Sequence, residues 1–493
     1  MKFLNSLTAP KAHAPERVIQ FGEGNFLRAF VDWIIKNMND STDFNSSVVI
    51  VQGQPESFAM GLLQAQDYLY HVNLQGRLDG EAVDSYTRVD VISRGINPFS
   101  QTDAYLALAE QPEMRFVISN TTEAGIVFDP ECKFADRPAS SYPGRLTQLL
   151  YRRYTTFKGA PDKGFIIMPC ELIFENGHHL RDAILKYIDL WKADFGADYE
   201  GFKEWFEKYN YVCATLVDRI VPGFPRKDIA NIQQKLGYVD NVVVQGEVFH
   251  LWVIERPCNM SIEELRAEFP AEKAGLHVII TDSEAPYHER KVTLLNGPHT
   301  VLSPVTYLSG VNIVRDACNH PVLGKYIHKV QFDELMQTLN LPMEELEKFG
   351  ADVLERFNNP YVDHQVTSIM LNAFPKFQTR DLPGLKTYLE RKGELPKGIV
   401  LGLAAIITYY KGGKREDGAE IKPQDDQAIM DLLTQLWATG DTAKVAEGVL
   451  AADSLIWKEH GDLNKIPGLT AMVIDFLNKI QEKGMLATVE EIL

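Results

Sequence analysis

The strongest constraint on the fold lies near the N-terminus, where two short apolar runs flank a glycine turn and an amphipathic segment. The first run, residues 17–21, stops at Gly22-Glu23-Gly24, and from Asn25 to residue 38 apolar side chains recur at helical spacing. The second run covers residues 47–51. This pattern predicts a βαβ unit with Asn25 as the N-cap of its helix, and such a unit requires a parallel sheet covered by helices.

The glycine turn suits a phosphate group. Two glycines between a strand and a helix let the backbone approach a pyrophosphate, and the N-terminus of a helix stabilises its charge. Leu27 replaces the third glycine of the usual dinucleotide fingerprint, so an ordinary strand–helix turn remains an alternative. The second strand ends in Gln52-Gly53-Gln54, which offers neither the acid typical of NAD binding nor an arginine for NADP.

Beyond this unit the first half of the chain alternates between predicted strands and helices. Two alternating segments, residues 68–74 and 86–92, predict an antiparallel hairpin. Further strands are predicted at residues 115–120, 164–168, 211–217 and 248–254, with helices at 179–191 and 202–206.

After about residue 283 the strand signal fades and helical periodicity dominates. We therefore predict an α/β domain over residues 1–282 and a mostly α-helical domain over residues 283–493. The helical windows are residues 324–338, 343–357, 398–410, 425–438 and 467–482.

Composition excludes several kinds of partner. A net charge of −17 argues against nucleic acid or an anionic membrane surface. No apolar stretch reaches the roughly 18 residues of a membrane span, and the N-terminus lacks the apolar run of a signal peptide. The five cysteines are widely spaced without a CxxC pair, which favours a reducing cytoplasm. We expect a small-molecule partner and leave the oligomeric state open.

Three polar residues past the middle of the chain suggest carbonyl chemistry. Lys291, Asn296 and His299 lie at relative positions 0, +5 and +8, which in an α-helix places them within roughly 140° of arc. An amine that exchanges a proton, beside two neutral hydrogen-bond donors, is what a carbonyl needs when a hydride attacks it. A free lysine has a pKa of about 10.4, so burial or nearby positive charge should lower it. Taken singly, a surface lysine, a helix-capping asparagine and a buried histidine are the alternatives.

These motifs carry a family resemblance. The turn from Phe21 to Ala29 resembles the G-x-G-x-F-x-R turn of the polyol-specific long-chain dehydrogenases, the mannitol dehydrogenase family. Lys291, Asn296 and His299 match its K-x4-N-x2-H signature. Three further segments, residues 217–222, 356–360 and 363–367, are similar to its V-D-R-I-x-P segment and C-terminal landmarks.

The resemblance implies a Rossmann-type NAD-binding domain, a helical domain and no metal. It also implies the residues of the site. Lys291, Asn296 and His299 would be catalytic, and Asp218 would contact substrate or support the site, with an ion pair to Arg219 as the alternative. The cofactor would lie along Ile19, Gln20, Phe21, Gly22, Glu23, Gly24, Asn25, Phe26, Leu27 and Arg28, with Thr122 and Glu123.

Within the family, the opening turn and residues 169–173 are most similar to the branch that acts on keto-uronates. This similarity implies reversible NAD(H)-dependent reduction of D-tagaturonate to D-altronate in galacturonate catabolism, with Lys291 as general acid and base. Leu172 and Ser368 stand where polyol-active members carry an asparagine and an arginine, which disfavours mannitol. The alternatives are reduction of fructuronate to mannonate, oxidation of mannitol at carbon 2, a non-catalytic dinucleotide sensor, and oxidative decarboxylation of a hydroxy acid.

A uronate needs a cation for its carboxylate. Lys376 and Arg380 are the predicted pair, with Arg290 in reserve. The adjacent His178 and His179 suggest a metal site, but neighbours on a helix point about 100° apart and neither is followed by a histidine or cysteine at i+4.

Overall fold

A six-stranded parallel sheet organises the first half of the chain. The computed structural model describes residues 1–122, 124–415 and 417–493, which divide into two units. The first unit comprises Met1–Gln75 and Val83–Tyr287, and the second comprises Gly76–Ala82 and His288–Leu493. The strands of the sheet, in spatial order, are Ile92–Ile96, Ser47–Val51, Glu16–Phe21, Phe116–Ser119, Ile166–Pro169 and Tyr211–Val212.

The order of these strands creates a switch point in the first unit. Glu16–Phe21 and Phe116–Ser119 are parallel neighbours, although they are the first and fourth strands of the sheet along the chain. Side chains from both faces of Glu16–Phe21 are buried, because Val18 joins one apolar cluster and Ile19 and Phe21 join another. In open sheets of this kind, ligands bind outside the carboxyl ends of the strands where the order reverses.

Smaller sheets and helices complete the first unit. Ala214–Asp218, Leu251–Glu255 and Val278–Thr281 form one three-stranded sheet, while Tyr70–Leu78, Glu81–Val89 and Val244–Glu247 form another. Lys2–Phe3 pairs with Tyr238–Val239. The α-helices are Asn25–Ala29, Val31–Ser41, Phe58–Ala65, Thr102–Leu106, Tyr142–Phe157, Asn176–Leu190, Lys192–Phe195, Tyr199–Tyr209, Ile229–Leu236, Ile262–Glu268 and Ala285–Lys291, the last of which continues into the second unit.

The second unit is mostly helical, as predicted. Its described paired strands are Gly413–Lys414 and Glu420–Ile421, together with the ends of Tyr70–Leu78 and Glu81–Val89 that fall within Gly76–Ala82. Three segments form π-turns, Val292–Asn296, Lys329–Leu335 and Asp453–Trp457. The α-helices are Gly297–Leu308, Val314–Asn319, Leu323–His328, Met343–Phe357, Val366–Ile369, Ala373–Arg380, Leu382–Lys392, Lys397–Tyr409, Gln427–Trp437, Thr442–Leu450, Leu469–Lys483 and Met485–Glu490.

Three local predictions were wrong. The N-cap of the first helix is Gly24 rather than Asn25, and that helix breaks at Phe30 instead of running to residue 38. The apolar run 211–217 is not one strand, because Tyr211–Val212 and Ala214–Asp218 belong to different sheets. A continuous apolar run cannot reveal where the chain leaves one sheet for the next, since both parts are equally suited to burial.

A buried carboxylate supports the most apolar helix of the second unit. Glu334 is 2% exposed and accepts hydrogen bonds from the backbone N–H groups of Gly398 (2.8 Å) and Ile399 (2.9 Å), in the first turn of Lys397–Tyr409. Burial raises the pKa of Glu334 from 4.5 to about 7. A group with a raised pKa stabilises the folded state fully below its unfolded pKa, and this contribution is lost as the pH rises through the folded pKa.

Glu334→Gln should therefore flatten the pH dependence of stability. As the pH rises from 4.5 to 7, the free energy of unfolding of the wild-type protein should fall by on the order of 2 to 3 kcal/mol relative to that of the variant. This corresponds to a relative fall in Tm of several degrees. Thermal unfolding of wild type and Glu334→Gln at pH 5 and pH 7.5 measures this difference in Tm. Asp333→Asn, at the exposed neighbouring carboxylate, is the matched control. Parallel Tm curves for wild type and Glu334→Gln would contradict the assignment.

Candidate active site

The glycine turn leaves backbone accessible at the end of the first strand. Gly22 has φ +118°, and a Cβ there would lie 3.3 Å from the carbonyl oxygen of Asn120, so only glycine suits this position. A Cβ at Gly24 would meet nothing within 4 Å. Packing against the described residues therefore does not require a glycine at position 24. The open surface there suits the close approach of a ligand.

Buried polar side chains hold this turn in place. Gln20 Nε2 donates to the carbonyl of Gly22 at 3.2 Å. Arg28 donates to the carbonyl of Glu23 (3.1 Å), to Asn25 Oδ1 (2.7 Å) and to the carbonyl of Val242 (2.6 Å), and burial lowers its pKa. Both side chains are buried, so they shape the turn from behind.

The predicted cofactor-binding stretch thus divides into two groups. Gly22, Glu23, Gly24 and Asn25 are half-buried or exposed, and Phe26 is half-buried and stacked on Phe30 with ring centroids 5.0 Å apart. The remaining members lie inside the unit, where they form the strand and the first turn of the helix: Ile19, Gln20, Phe21, Leu27 and Arg28.

A second turn lies at the same edge of the sheet. The strand Phe116–Ser119 ends beside Gly22, and Thr122 follows in a left-handed conformation with φ +72°. Such a φ is uncommon for a β-branched residue and marks a turn that the surrounding structure holds in place. Glu123 lies outside the described residues.

Glu171 holds this second turn. It is buried, and its carboxylate accepts hydrogen bonds from the N–H of Thr121 (2.8 Å), the hydroxyl of Thr121 (2.9 Å) and the hydroxyl of Ser119 (3.1 Å). Burial raises its pKa. Glu171, which lies in the segment 169–173, therefore positions the end of the fourth strand.

Asp218 and Arg219 lie at the end of the strand Ala214–Asp218, and both are buried. The Arg219 guanidinium donates to three carbonyls, those of Ala29 (2.6 Å), Phe249 (3.0 Å) and Val248 (3.2 Å), and burial lowers its pKa to about 9. Its contact with Ala29 joins the end of the glycine-turn helix to the Asp218 segment. The structure thus brings Asp218 near the predicted cofactor turn through its neighbour in sequence.

Lys291, Asn296 and His299 lie on one continuous helical stretch, but the stretch is not a regular α-helix. Lys291 ends the helix Ala285–Lys291, Val292–Asn296 forms a π-turn, and His299 lies in the first turn of Gly297–Leu308. The N–H of Gly297 donates to the carbonyl of Val292, five residues earlier. The predicted α-helical arc is therefore wrong here, and a π-turn brings residues five apart, such as Lys291 and Asn296, closer to the same face.

The sequence explains why the helix widens at this point. Pro298 has no N–H to donate to the carbonyl of Leu294, four residues earlier. Gln331, which is fully buried, donates its side-chain amide to that carbonyl at 3.2 Å. The π-turn is thus supported from a second segment of the same unit, and π-turns of this kind often occur at functional sites.

His299 is held as a neutral ring with a buried, unpaired nitrogen. Its ring stacks on Phe357 with centroids 4.2 Å apart and meets His364 edge-on at 5.2 Å. Burial first, and then electrostatic interactions with His364, Arg356 and Arg380, lower its pKa well below 6.5. Among the described residues Nε2 has no hydrogen-bond partner. A neutral imidazole with an unpaired nitrogen can serve a ligand oxygen.

Of the two predicted carboxylate-binding cations, Arg380 lies near His299 and Lys376 lies near Arg380. Arg380 Nη1 contacts the hydroxyl of Thr300 at 3.3 Å, next to His299 in the sequence. Lys376 Nζ donates to the carbonyl of Ile369 at 2.7 Å, and burial and the charge of Arg380 lower its pKa. Arg290, held in reserve, instead stacks over Phe349 and lies 3.7 Å from Glu345 Oε2.

Sequence reasoning missed several residues around this cluster. Arg356 and His364 were part of quoted landmarks, but only the structure shows that their charges act on His299. Asp381 is fully buried, and a Cβ at Gly297 would lie 3.1 Å from its Oδ1. Gln331 and Asp381 carry no motif, because their roles depend on contacts between helices distant in sequence.

Both halves of the chain match models of one protein family. Residues 16–268 match the Mannitol dehydrogenase Rossmann domain and residues 284–481 match the Mannitol dehydrogenase C-terminal domain. The chain belongs to the mannitol dehydrogenase family. The resemblance inferred from the motifs and the predicted fold class are both confirmed, and the chain is an NAD-dependent oxidoreductase acting on CH–OH groups.

Several members of the family are similar over their whole length. Altronate oxidoreductase from Phocaeicola vulgatus is 70% identical over 493 residues, which cover 100% of both chains. Altronate oxidoreductase from Bacillus subtilis is 45% identical over 479 residues, covering 97% of this chain and 95% of that protein.

Two solved structures share the fold. Mannitol 2-dehydrogenase from Pseudomonas fluorescens, in a ternary complex with NAD and D-mannitol, is 22% identical with a TM-score of 0.67, covering 100% of this chain and 99% of that chain. A D-sorbitol dehydrogenase in substrate-free form is 21% identical with a TM-score of 0.80, covering 99% of this chain and 100% of that chain.

The described residues contain neither a membrane-spanning helix nor a metal-binding cluster. No helix there is both long and apolar enough to cross a membrane. No group of three or more His, Cys, Asp or Glu side chains in that part of the chain could hold a metal ion. His178, one of the paired histidines, instead contacts Glu255 Oε1 at 2.9 Å.

Substitution of Gly24 tests the predicted cofactor turn. Gly24→Ala should fold normally, because the added Cβ meets no described atom, while NADH affinity should fall by about tenfold or more if the pyrophosphate lies over this backbone. Fluorescence titration with NADH measures the affinity. Gly61→Ala, at a helical glycine of the same unit with equally open space, is the matched control. Unchanged NADH affinity in Gly24→Ala would place the cofactor elsewhere.

Proposed function

We propose that the protein catalyses the reversible NAD(H)-dependent reduction of the keto-uronate D-tagaturonate to D-altronate, in galacturonate catabolism. The observation that carries the proposal is the neutral His299, with an unpaired buried nitrogen among arginines, on the same helical stretch as Lys291 and Asn296. Full-length similarity to altronate oxidoreductases supports the choice of substrate.

Lys291 is the proposed proton donor and acceptor. In the reductive direction its ammonium group gives a proton to the carbonyl oxygen as that oxygen becomes a hydroxyl, and in the oxidative direction the amine takes the proton back. The bound cofactor supplies the hydride for reduction. Because Lys291 is half-buried beside a π-turn, its position is fixed by the fold rather than by a mobile surface loop.

Asn296 and His299 stabilise the charge that develops on the carbonyl oxygen. Both can donate a hydrogen bond without carrying a charge, since the lowered pKa keeps His299 neutral at pH 7. Phe357 and His364 hold the imidazole ring in orientation. A preorganised donor of this kind costs little reorganisation when the reaction occurs.

The cations around His299 suit a substrate with a carboxylate. Arg380 and Lys376 influence each other electrostatically, and both Arg380 and Arg356 act on His299. In a chain with a net charge of −17, such a local positive cluster is the feature an anionic sugar acid requires. A guanidinium is the better partner, because it can bind a carboxylate through two parallel hydrogen bonds.

The residues of the first unit fit a dinucleotide. Gly22 and Gly24 leave the backbone open, Thr122 lies at the neighbouring strand end, and both turns are at the switch point of the sheet. Asp218 is assigned to the supporting shell of the site. A cytoplasmic location belongs to the proposal, since all five cysteines are free thiols.

Other activities are less well supported. Leu172 is 62% exposed, and the hydroxyl of Ser368 donates to the carbonyl of Gln365, so neither offers the polar group that polyol-active members carry. Reduction of fructuronate remains the nearest alternative, because it differs from tagaturonate at one carbon. A sensor without turnover would not need the proton donor Lys291.

Lys291→Ala should abolish turnover while keeping the cofactor. We expect kcat for tagaturonate reduction to fall by about 10²- to 10⁴-fold, the usual contribution of general acid catalysis, with NADH affinity within a few-fold of wild type. Loss of NADH absorbance measures turnover. Lys325→Ala, at an exposed lysine of the same unit, should behave as wild type. A variant that retains wild-type kcat would remove Lys291 from the chemistry.

Replacing the cations that are proposed to bind the substrate carboxylate should weaken the activity on charged substrates more than the activity on neutral ones. Arg380→Ala and Lys376→Ala should raise the KM for tagaturonate by about tenfold or more, and the ratio of tagaturonate to fructose kcat/KM should fall, because fructose has no carboxylate. Lys392→Ala, at an exposed lysine, is the control. If neither variant changes the KM for tagaturonate, another cation, with Arg356 the first candidate, binds the carboxylate.

A further inference from the structure

The end of the second strand lacks the side chain that usually selects the cofactor. Gln52 follows Ser47–Val51 and is 5% exposed. Its side-chain amide donates to the carbonyls of Gln54 (2.6 Å) and Pro55 (3.1 Å). Gln52 therefore shapes its own loop, and its donors are not available to a ribose or a phosphate.

A carboxylate from the glycine turn reaches the same place. Glu23 Oε2 accepts a hydrogen bond from the backbone N–H of Gly53 at 3.3 Å. The backbone N–H of Gly22 donates to the carbonyl of Val51 at 2.9 Å, which fixes the turn against the end of this strand. Glu23 is half-buried, and its other carboxylate oxygen has no hydrogen-bond partner within the described part of the chain.

The surrounding loop offers no positive charge. Between Gln52 and Met60 the sequence contains one ionisable residue, the exposed Glu56. Arg28, the nearest arginine in sequence to the turn, donates to the backbone carbonyls of Glu23 and Val242 and to Asn25 Oδ1. A phosphate at this edge would meet the Glu23 carboxylate and no cation from this loop, whereas a hydroxyl would find an acceptor.

We propose that the Glu23 carboxylate accepts a hydrogen bond from the 2′-hydroxyl of the adenosine ribose and thereby selects NAD(H) over NADP(H). In the usual arrangement an acid at the end of the second strand has this role. Here the acid with this role lies between the two glycines of the neighbouring turn, and its side chain reaches the end of the second strand. The inference rests on the proposed function, in that a dinucleotide must bind at the Gly22–Gly24 turn.

Glu23→Gln separates this role from a structural one. The amide oxygen still accepts from the N–H of Gly53, but the negative charge is removed. We expect wild type to bind NADH at least about 50-fold more tightly than NADPH, and Glu23→Gln to lower this preference by at least tenfold, because a charge-assisted hydrogen bond is lost and repulsion of the 2′-phosphate ends. Titration of the full-length protein with each dinucleotide, followed by nicotinamide fluorescence, gives both affinities.

Competition with adenosine fragments adds a readout that folding alone would not change. The ratio of 5′-AMP to 2′,5′-ADP affinity should shift toward 2′,5′-ADP in Glu23→Gln and in the smaller Glu23→Ser. Glu56→Gln, which removes the exposed carboxylate of the same loop, should keep the wild-type ratio.

The outcomes distinguish this inference from the proposed function. An unchanged NADH to NADPH ratio in both Glu23 variants, or a wild-type protein that binds the two equally, would overturn the role of Glu23 while leaving NADH binding in place. A wild-type protein that binds neither dinucleotide would overturn both.

Discussion

The close approach of Gly22 to the carbonyl of Asn120 is the constraint on which the nucleotide half of the protein depends. Two parallel strands that are distant in sequence end side by side, and the chain can leave the first of them only through a residue with φ +118° and no side chain. Buried Gln20, Arg28 and Glu171 then satisfy the backbone and hydroxyl groups of the two turns. The buried polar side chains at this edge of the sheet thus hold the two turns in place. The groups that face outward are available to a ligand.

In the second unit, a widened helix rather than a glycine turn determines the backbone conformation of the predicted site. Pro298 interrupts the hydrogen bonding of the helix just after Asn296, and Gln331 satisfies the carbonyl that the proline leaves without a donor. The π-turn shifts Lys291 relative to Asn296 and His299, so the local break in the helix lies within the predicted catalytic signature. The contact between Gly297 and Asp381 shows that the same turn is tightly packed on its inner side.

Charge is used differently in the two units. In the first unit, burial lowers the pKa values of Arg28 and Arg219, and both guanidinium groups donate to backbone carbonyls, so their role is structural. In the second unit, arginines surround a histidine whose nitrogen is unpaired, which creates a neutral donor in positive surroundings. That combination favours an oxygen that gains negative charge and a substrate that already carries one.

The sequence by itself determined the class of the fold, the parallel sheet, most helices of the second half and the family, because apolar periodicity and short motifs are local properties. The helix Met343–Phe357 and the strand Ser47–Val51, for example, have the predicted bounds. Only the tertiary structure decided that residues 211–217 divide between two sheets, that Arg28 faces inward, that a π-turn interrupts the segment of the predicted catalytic residues, and that Glu23 reaches the end of the second strand. These features depend on which distant carbonyl or side chain completes a hydrogen bond, and no spacing within one segment records that partner.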